Sequence, residues 1–172
     1  HVLDASSEAQ AGCELSPEDD VPQWLHALKT CAADAEGEWL LGSGFGLHAL
    51  LAAGQSPREL LDGIISDRPV AIMEETSHSY WLNSRALQLA GIADDTADPA
   101  GGVILRDPAG KATGVVLDNA GDLALDQALP PSKALEEIYY QAVLAGQEEL
   151  AQNGITSVAD ARVFWRRGHM QA

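Results

Sequence analysis

The order of elements in this chain predicts an α/β fold with a parallel sheet and an inserted β-hairpin. Three observations carry the prediction. Segments with apolar residues at helical spacing alternate with short apolar runs that open into Gly-rich or polar loops. Ser, Asp and Pro stand where helices should begin, and two β-rich runs flank an Asp107-Pro-Ala-Gly110 turn. With 172 residues, 46% of them hydrophobic, the chain has material for a core.

Residues 1–19 are polar and read as loop, the first part of a single domain over 1–172. Residues 20–92 hold helix and strand units. Asp20 is an N-cap and Pro22 sits in the first turn. Trp24, Leu25, Leu28 and Cys31 then fall at helical spacing, which predicts a helix over 21–35. Glu38 to Gly42 reads as a buried strand opening into a glycine loop. Ser56 precedes Pro57 to Asp62 with Pro at N1 and Glu59 at N3, a second helix start, and Val70 to Met73 is a strand. A polar loop follows, then a helix from about Trp81 to Leu89 closed by Ala90-Gly91. Residues 93–131 carry the hairpin, between Gly101 and Leu117. In 132–172, a long amphipathic helix over Ser132 to Asn153 precedes a strand at Ile155 to Val158, which ends toward Asp160.

Ten Lys and Arg against 26 Asp and Glu leave a formal charge of −16, the wrong sign for binding nucleic acid or anionic lipid. No apolar run approaches the roughly 20 residues that span a bilayer, and the first twenty residues have no leader pattern. A cytoplasmic protein is expected. Cys13 and Cys31 lack C-x-x-C spacing and read as buried or reduced thiols.

Gly42 to Gly46 follows a strand, but a dinucleotide fingerprint needs its third glycine where Leu47 stands. A nucleotide-using enzyme rests on that loop alone. The five histidines are scattered, and His26 and His48 read as surface or packing residues. His78 differs because it lies just past the C-terminal end of a strand, where α/β folds gather ligand groups, and Asp160 has the same placement. Glu74 and Glu75 are adjacent, so their carboxylates point apart in an extended chain.

An ordered series of motifs extends this reading. Trp39-Leu-Leu-Gly42-Ser-Gly44-Phe45, Asp67-Arg68-Pro69-Val70, Ser77-His78-Ser-Tyr-Trp81-Leu-Asn83-Ser84, Gly101-Gly102-Val-Ile104 and Asn153-Gly154-Ile155-Thr156-Ser157-Val158 follow one another along nearly the whole chain. Together they resemble the amidohydrolase-3 branch of the metal-dependent amidohydrolases. The resemblance implies a partial TIM-barrel-like (β/α) segment with an inserted β-hairpin subdomain. The complete relative holds a divalent metal, usually zinc, that activates water to hydrolyse a small amide or N-acyl substrate.

By the same resemblance, His1 matches the second His of the family's H-x-H metal motif, and His78, Trp81 and Asn83 match a His-x-x-Trp-x-Asn-Ser stretch that lines the substrate cleft. The family's bridging lysine, further metal-ligand histidines and catalytic aspartate belong to later strands, so the catalytic set is expected to be incomplete here. The expectation is a fragment of a C–N hydrolase, inactive alone, that self-associates through open sheet edges. The competing expectation is a non-catalytic binding or assembly domain that keeps only the fold.

Overall fold

The computed structural model describes residues 12–159. They fall into two compact units, Gly12–Ala128 and a second that begins at Leu129.

The first unit is built on a six-stranded sheet in the order β1-β2-β3-β4-β6-β5. Its strands are β1 (Cys13–Glu14), β2 (Leu40–Phe45), β3 (Val70–Glu74), β4 (Ser79–Leu82), β5 (Gly102–Arg106) and β6 (Ala112–Asp118). Strands β1, β2 and β3 run parallel, joined by α1 (Val21–Asp34) and then by α2 (Leu47–Ala52) and α3 (Pro57–Asp62). β4 turns back antiparallel to β3, and the β5–β6 hairpin continues antiparallel on β4. The expected α/β class and hairpin are present, while the parallel pairing stops at β3.

The start of α1 follows its sequence signals. Asp20 accepts from Gln23 N at 3.0 Å while the Gln23 side chain accepts from Asp20 N at 2.8 Å, a reciprocal cap on two otherwise unpaired donors. At the other end the Arg68 guanidinium donates to the carbonyls of Ala32 and Ala35, a cation on the negative end of the helix. Ser56 precedes α3 as expected, but its side chain makes no capping bond.

The helix expected from Trp81 is corrected. Ser79–Leu82 is a strand with all four residues buried, and α4 (Ser84–Leu89) begins only after Asn83, whose side chain caps it. A short run buried on both sides reads alike as helix or strand until its partners are known. Two further elements are not foreshadowed, the two-residue β1 inside the expected loop and α5 (Asn119–Ala128) after the hairpin. In the second unit, α6 (Lys133–Gln152) is capped by Ser132, which accepts from Leu135 N at 3.1 Å, and Gly154 has φ +76° just past its end. Ile155 to Val158, expected as a strand, has no ladder partner among the described residues and is exposed. A strand exists only where a neighbour takes up its hydrogen bonds.

The core lies on the face of the sheet covered by α1 and α3. Trp24 from α1, Phe45 from β2 and Trp81 from β4 stack edge to face, with centroids 6.2 and 5.6 Å apart. Such contacts add roughly 0.5–1.5 kcal/mol each beyond area burial.

The reading of Cys13 and Cys31 as free thiols is also corrected, because they form a disulfide with Cα atoms 5.8 Å apart. Residue spacing could not reveal it, since the pair meets only when α1 packs over the edge strand. β1 can lie so close to β2 because Gly42 and Gly44 carry no side chain. A Cβ at Gly42 would overlap the Cys13 carbonyl oxygen, and one at Gly44, where φ is +106°, would overlap that of Leu15. The glycine run thus admits a neighbouring backbone.

At the opposite edge, β5 is covered by its own loop. Asp98 Oδ1 accepts from Ile104 N at 3.2 Å and from Arg106 Nη1 at 2.8 Å, and Arg106 also donates to the carbonyls of Asp94, Thr96 and Ile104. The open edge expected from sequence is shielded on this side. The Arg106 hydrogen bond, with that from Ile104, holds the Asp98 carboxyl below the usual carboxylate range. A lowered folded pKa means that this contribution is complete above the unfolded value and is lost as pH falls through the folded one. Wild type should therefore exceed Asp98→Asn in thermal midpoint at neutral pH, with the gap closing below about pH 4. A gap independent of pH would show that the carboxylate charge is not what holds the loop.

Candidate functional site

The C-terminal ends of the parallel strands, where such sheets present chemistry, are Glu14, Phe45 and Glu74. A tight turn after Glu74 carries Glu75 to His78 before β4 begins, and Ser77 takes φ +63° to close it, with Ser77 N donating to Glu74 O at 2.8 Å. β6 ends beside this turn at Asp118, where φ is +48° and the backbone N donates to His78 O at 2.7 Å. These are the two non-glycine residues with positive φ among those described, and both border His78. Local strain of this sort, about 1–3 kcal/mol per residue, persists only where surrounding contacts dictate it.

His78 Nδ1 lies 3.0 Å from Asp118 Oδ1, and the two side chains are 64% and 55% exposed. A carboxylate can only accept, so the hydrogen sits on Nδ1 in either protonation state. That leaves Nε2 as an acceptor when the ring is neutral and a donor when it is charged. Asp118 thereby sets the tautomer and orientation of His78. No sequence signal marks Asp118, because the pair is 40 residues apart and forms only through the register of β4 on β6.

Glu74 is only 7% exposed, and its Oε2 accepts from Thr76 Oγ1 at 2.6 Å and from Thr76 N at 3.0 Å. Glu75 is exposed, as are His26 and His48.

The structure places Trp81 and Asn83 apart from this surface. Both are 0% exposed. Trp81 Nε1 donates to Pro57 O at 2.7 Å. Asn83 Oδ1 accepts from Val70 N at 3.1 Å and Ala86 N at 2.9 Å, and its Nδ2 donates to Ile65 O at 3.0 Å and Arg68 O at 2.9 Å. Every polar atom of that amide is used inside the unit. His1 and Asp160 lie outside the described residues.

Among the described residues no group of three or more His, Cys, Asp or Glu could hold a metal ion. These residues alone do not compose a metal centre. Nor is any of their helices long and apolar enough to cross a membrane.

Comparison with known proteins gives a consistent set of likenesses. A family model described as the amidohydrolase family matches residues 1–171. The Bacillus subtilis (strain 168) amidohydrolase homologue YtcJ is 34% identical over 134 residues, covering 72% of this chain and 25% of that protein. An N-substituted formamide deformylase from Arthrobacter pascens is 30% identical over 112 residues, 64% of this chain and 21% of that protein. This chain thus spans about a quarter of the length of these curated relatives. Among solved structures, an uncharacterized metal-dependent hydrolase from Pyrococcus horikoshii OT3 superposes with TM-score 0.57 at 20% identity, over 91% of this chain and 28% of that one. That likeness is one of fold.

Proposed function

The chain belongs to the amidohydrolase family, and on that premise we propose that it supplies part of a metal-dependent hydrolase that opens a C–N bond in a small amide or N-acyl substrate. The family match along residues 1–171 is the observation that carries this reading. The likeness to a formamide deformylase supports N-formyl and related N-acyl amines as the first substrates to try. The fold neighbours support a partial barrel whose strand ends face the substrate. In this reading the metal is zinc, His1 is the ligand that this chain adds, and Asp160 is a further candidate polar group.

His78 is the residue of the described segment that meets substrate. Held by Asp118, its Nε2 accepts from a substrate N–H or, when charged, donates to a substrate oxygen. Trp81 and Asn83 serve as positioning residues, because they fix β4 and the start of α4, between which and β3 the His78 turn is strung. His78→Ala is expected to raise KM roughly tenfold with little change in kcat, the size of one lost hydrogen bond. A fall in kcat at constant KM would instead put the imidazole on the reacting atoms.

The test of the whole reading is amine release from N-formyl and N-acetyl amines at high chain concentration with added zinc, together with zinc bound per chain. Neither turnover nor zinc binding would favour the second reading, a non-catalytic binding or assembly domain that keeps only the fold. Self-association belongs to the same proposal, since Tyr140, Leu144, Ile155 and Val158 of the second unit are exposed. A sedimentation experiment giving a lone monomer at high concentration would remove it. The cytoplasmic placement expected from sequence carries a condition of its own, that cellular thiols be able to open the Cys13–Cys31 bond.

A further inference from the structure

We propose that Cys13–Cys31 is a thiol–disulfide exchange site, opened by dithiol reductants, whose state decides whether β1 stays seated at the edge of the sheet. The bond ties two elements of very unequal independence. α1 is anchored at both ends without it, by the Asp20–Gln23 cap and by Arg68 on the carbonyls of Ala32 and Ala35. β1 has little else. It pairs with β2 at Cys13 and Glu14, and the next backbone bond is Leu15 N to Ser43 O at 2.8 Å. Two-residue edge strands close few hydrogen bonds and open at low cost.

Access is as uneven as anchorage. Cys13 is 2% exposed, whereas Cys31 is only partly buried on α1. A dithiol's thiolate therefore attacks Cys31 Sγ, forming a mixed disulfide and releasing Cys13 as the thiolate leaving group, which takes up a proton. The reductant's second thiolate then attacks its own sulfur in that mixed bond, expelling Cys31 as a thiol and leaving the dithiol as an oxidised ring. Two electrons and two protons move from reductant to protein. With the tie gone, β1 opens and closes on β2, while α1 and β3 to β6 keep their contacts. Both described cysteines are engaged in this one bond, so the site has no competing thiol among them.

The experiment is hydrogen exchange read by mass spectrometry on the intact chain, oxidised, reduced with excess dithiothreitol under native conditions, and reoxidised. Reduction should run to completion. Exchange of the backbone N–H groups in Gly12–Leu15 and on the β2 edge they cover should rise by about tenfold or more, with β3 to β6 unchanged and full reversal on reoxidation. The double variant Cys13→Ser with Cys31→Ser should reproduce the reduced pattern. The proposal is overturned if the bond resists dithiothreitol, if β1 is equally protected in both states, or if protection falls uniformly. Failure of the double variant to fold would also overturn it, since the bond would then be a condition of the fold.

Discussion

Asn83→Ala is expected to cost about 4 kcal/mol or more of folding stability, a large share of what a domain this size possesses. The amide ties the start of α4, the start of β3 and the loop before β3 to one another. It caps α4 through Ala86 N, completes the start of β3 through Val70 N, and holds the Ile65 and Arg68 carbonyls of the loop that leads into β3. Removing it strands two donors and two acceptors at a site with 0% exposure, and each buried orphan costs roughly 1–3 kcal/mol. Asn83→Asp should be no better, since its second carboxylate oxygen would face two carbonyls that need a donor. Urea unfolding of both variants checks this. A loss under about 1 kcal/mol would mean that water reaches the site and replaces the amide.

What was legible in the sequence was whatever depends on neighbours along the chain. The Asp20 cap, the glycine after the long helix and the hairpin around Asp107 to Gly110 are set by residues within a few positions of each other, and each lies where the pattern puts it. What was missed depends on distant partners. Ser79 to Leu82 is a strand because β3 and β6 flank it, and Cys13 meets Cys31 because α1 packs on the sheet edge. His78 was legible as a residue at a strand end, but the group that orients it, Asp118, arrives only through the pairing of β6 with β4. Trp81 and Asn83 show the converse. Their places beside His78 in the motif mark them as a set with it, yet strand alternation and burial send the three side chains to different surroundings.

The Gly42 to Gly46 run offers a test of why glycines stand where they do. Gly44→Ala is expected to cost about 3 kcal/mol or more, and two separable effects contribute. One is conformational, since φ is +106° at Gly44 and a side chain there is strained whatever the space. The other is steric, because the new methyl would overlap the carbonyl oxygen of Leu15, the residue that follows β1, and a main-chain oxygen cannot swing aside. Gly37→Ala isolates the first effect. Gly37 has φ +101°, close to that of Gly44, and the nearest atom to the position its Cβ would take is Trp39 O at 3.9 Å, so only the strain of about 1–2 kcal/mol should register. The difference between the two variants in urea unfolding then measures the close approach of β1. Equal losses would mean that β1 shifts freely to accommodate a side chain, and the glycines would need another explanation.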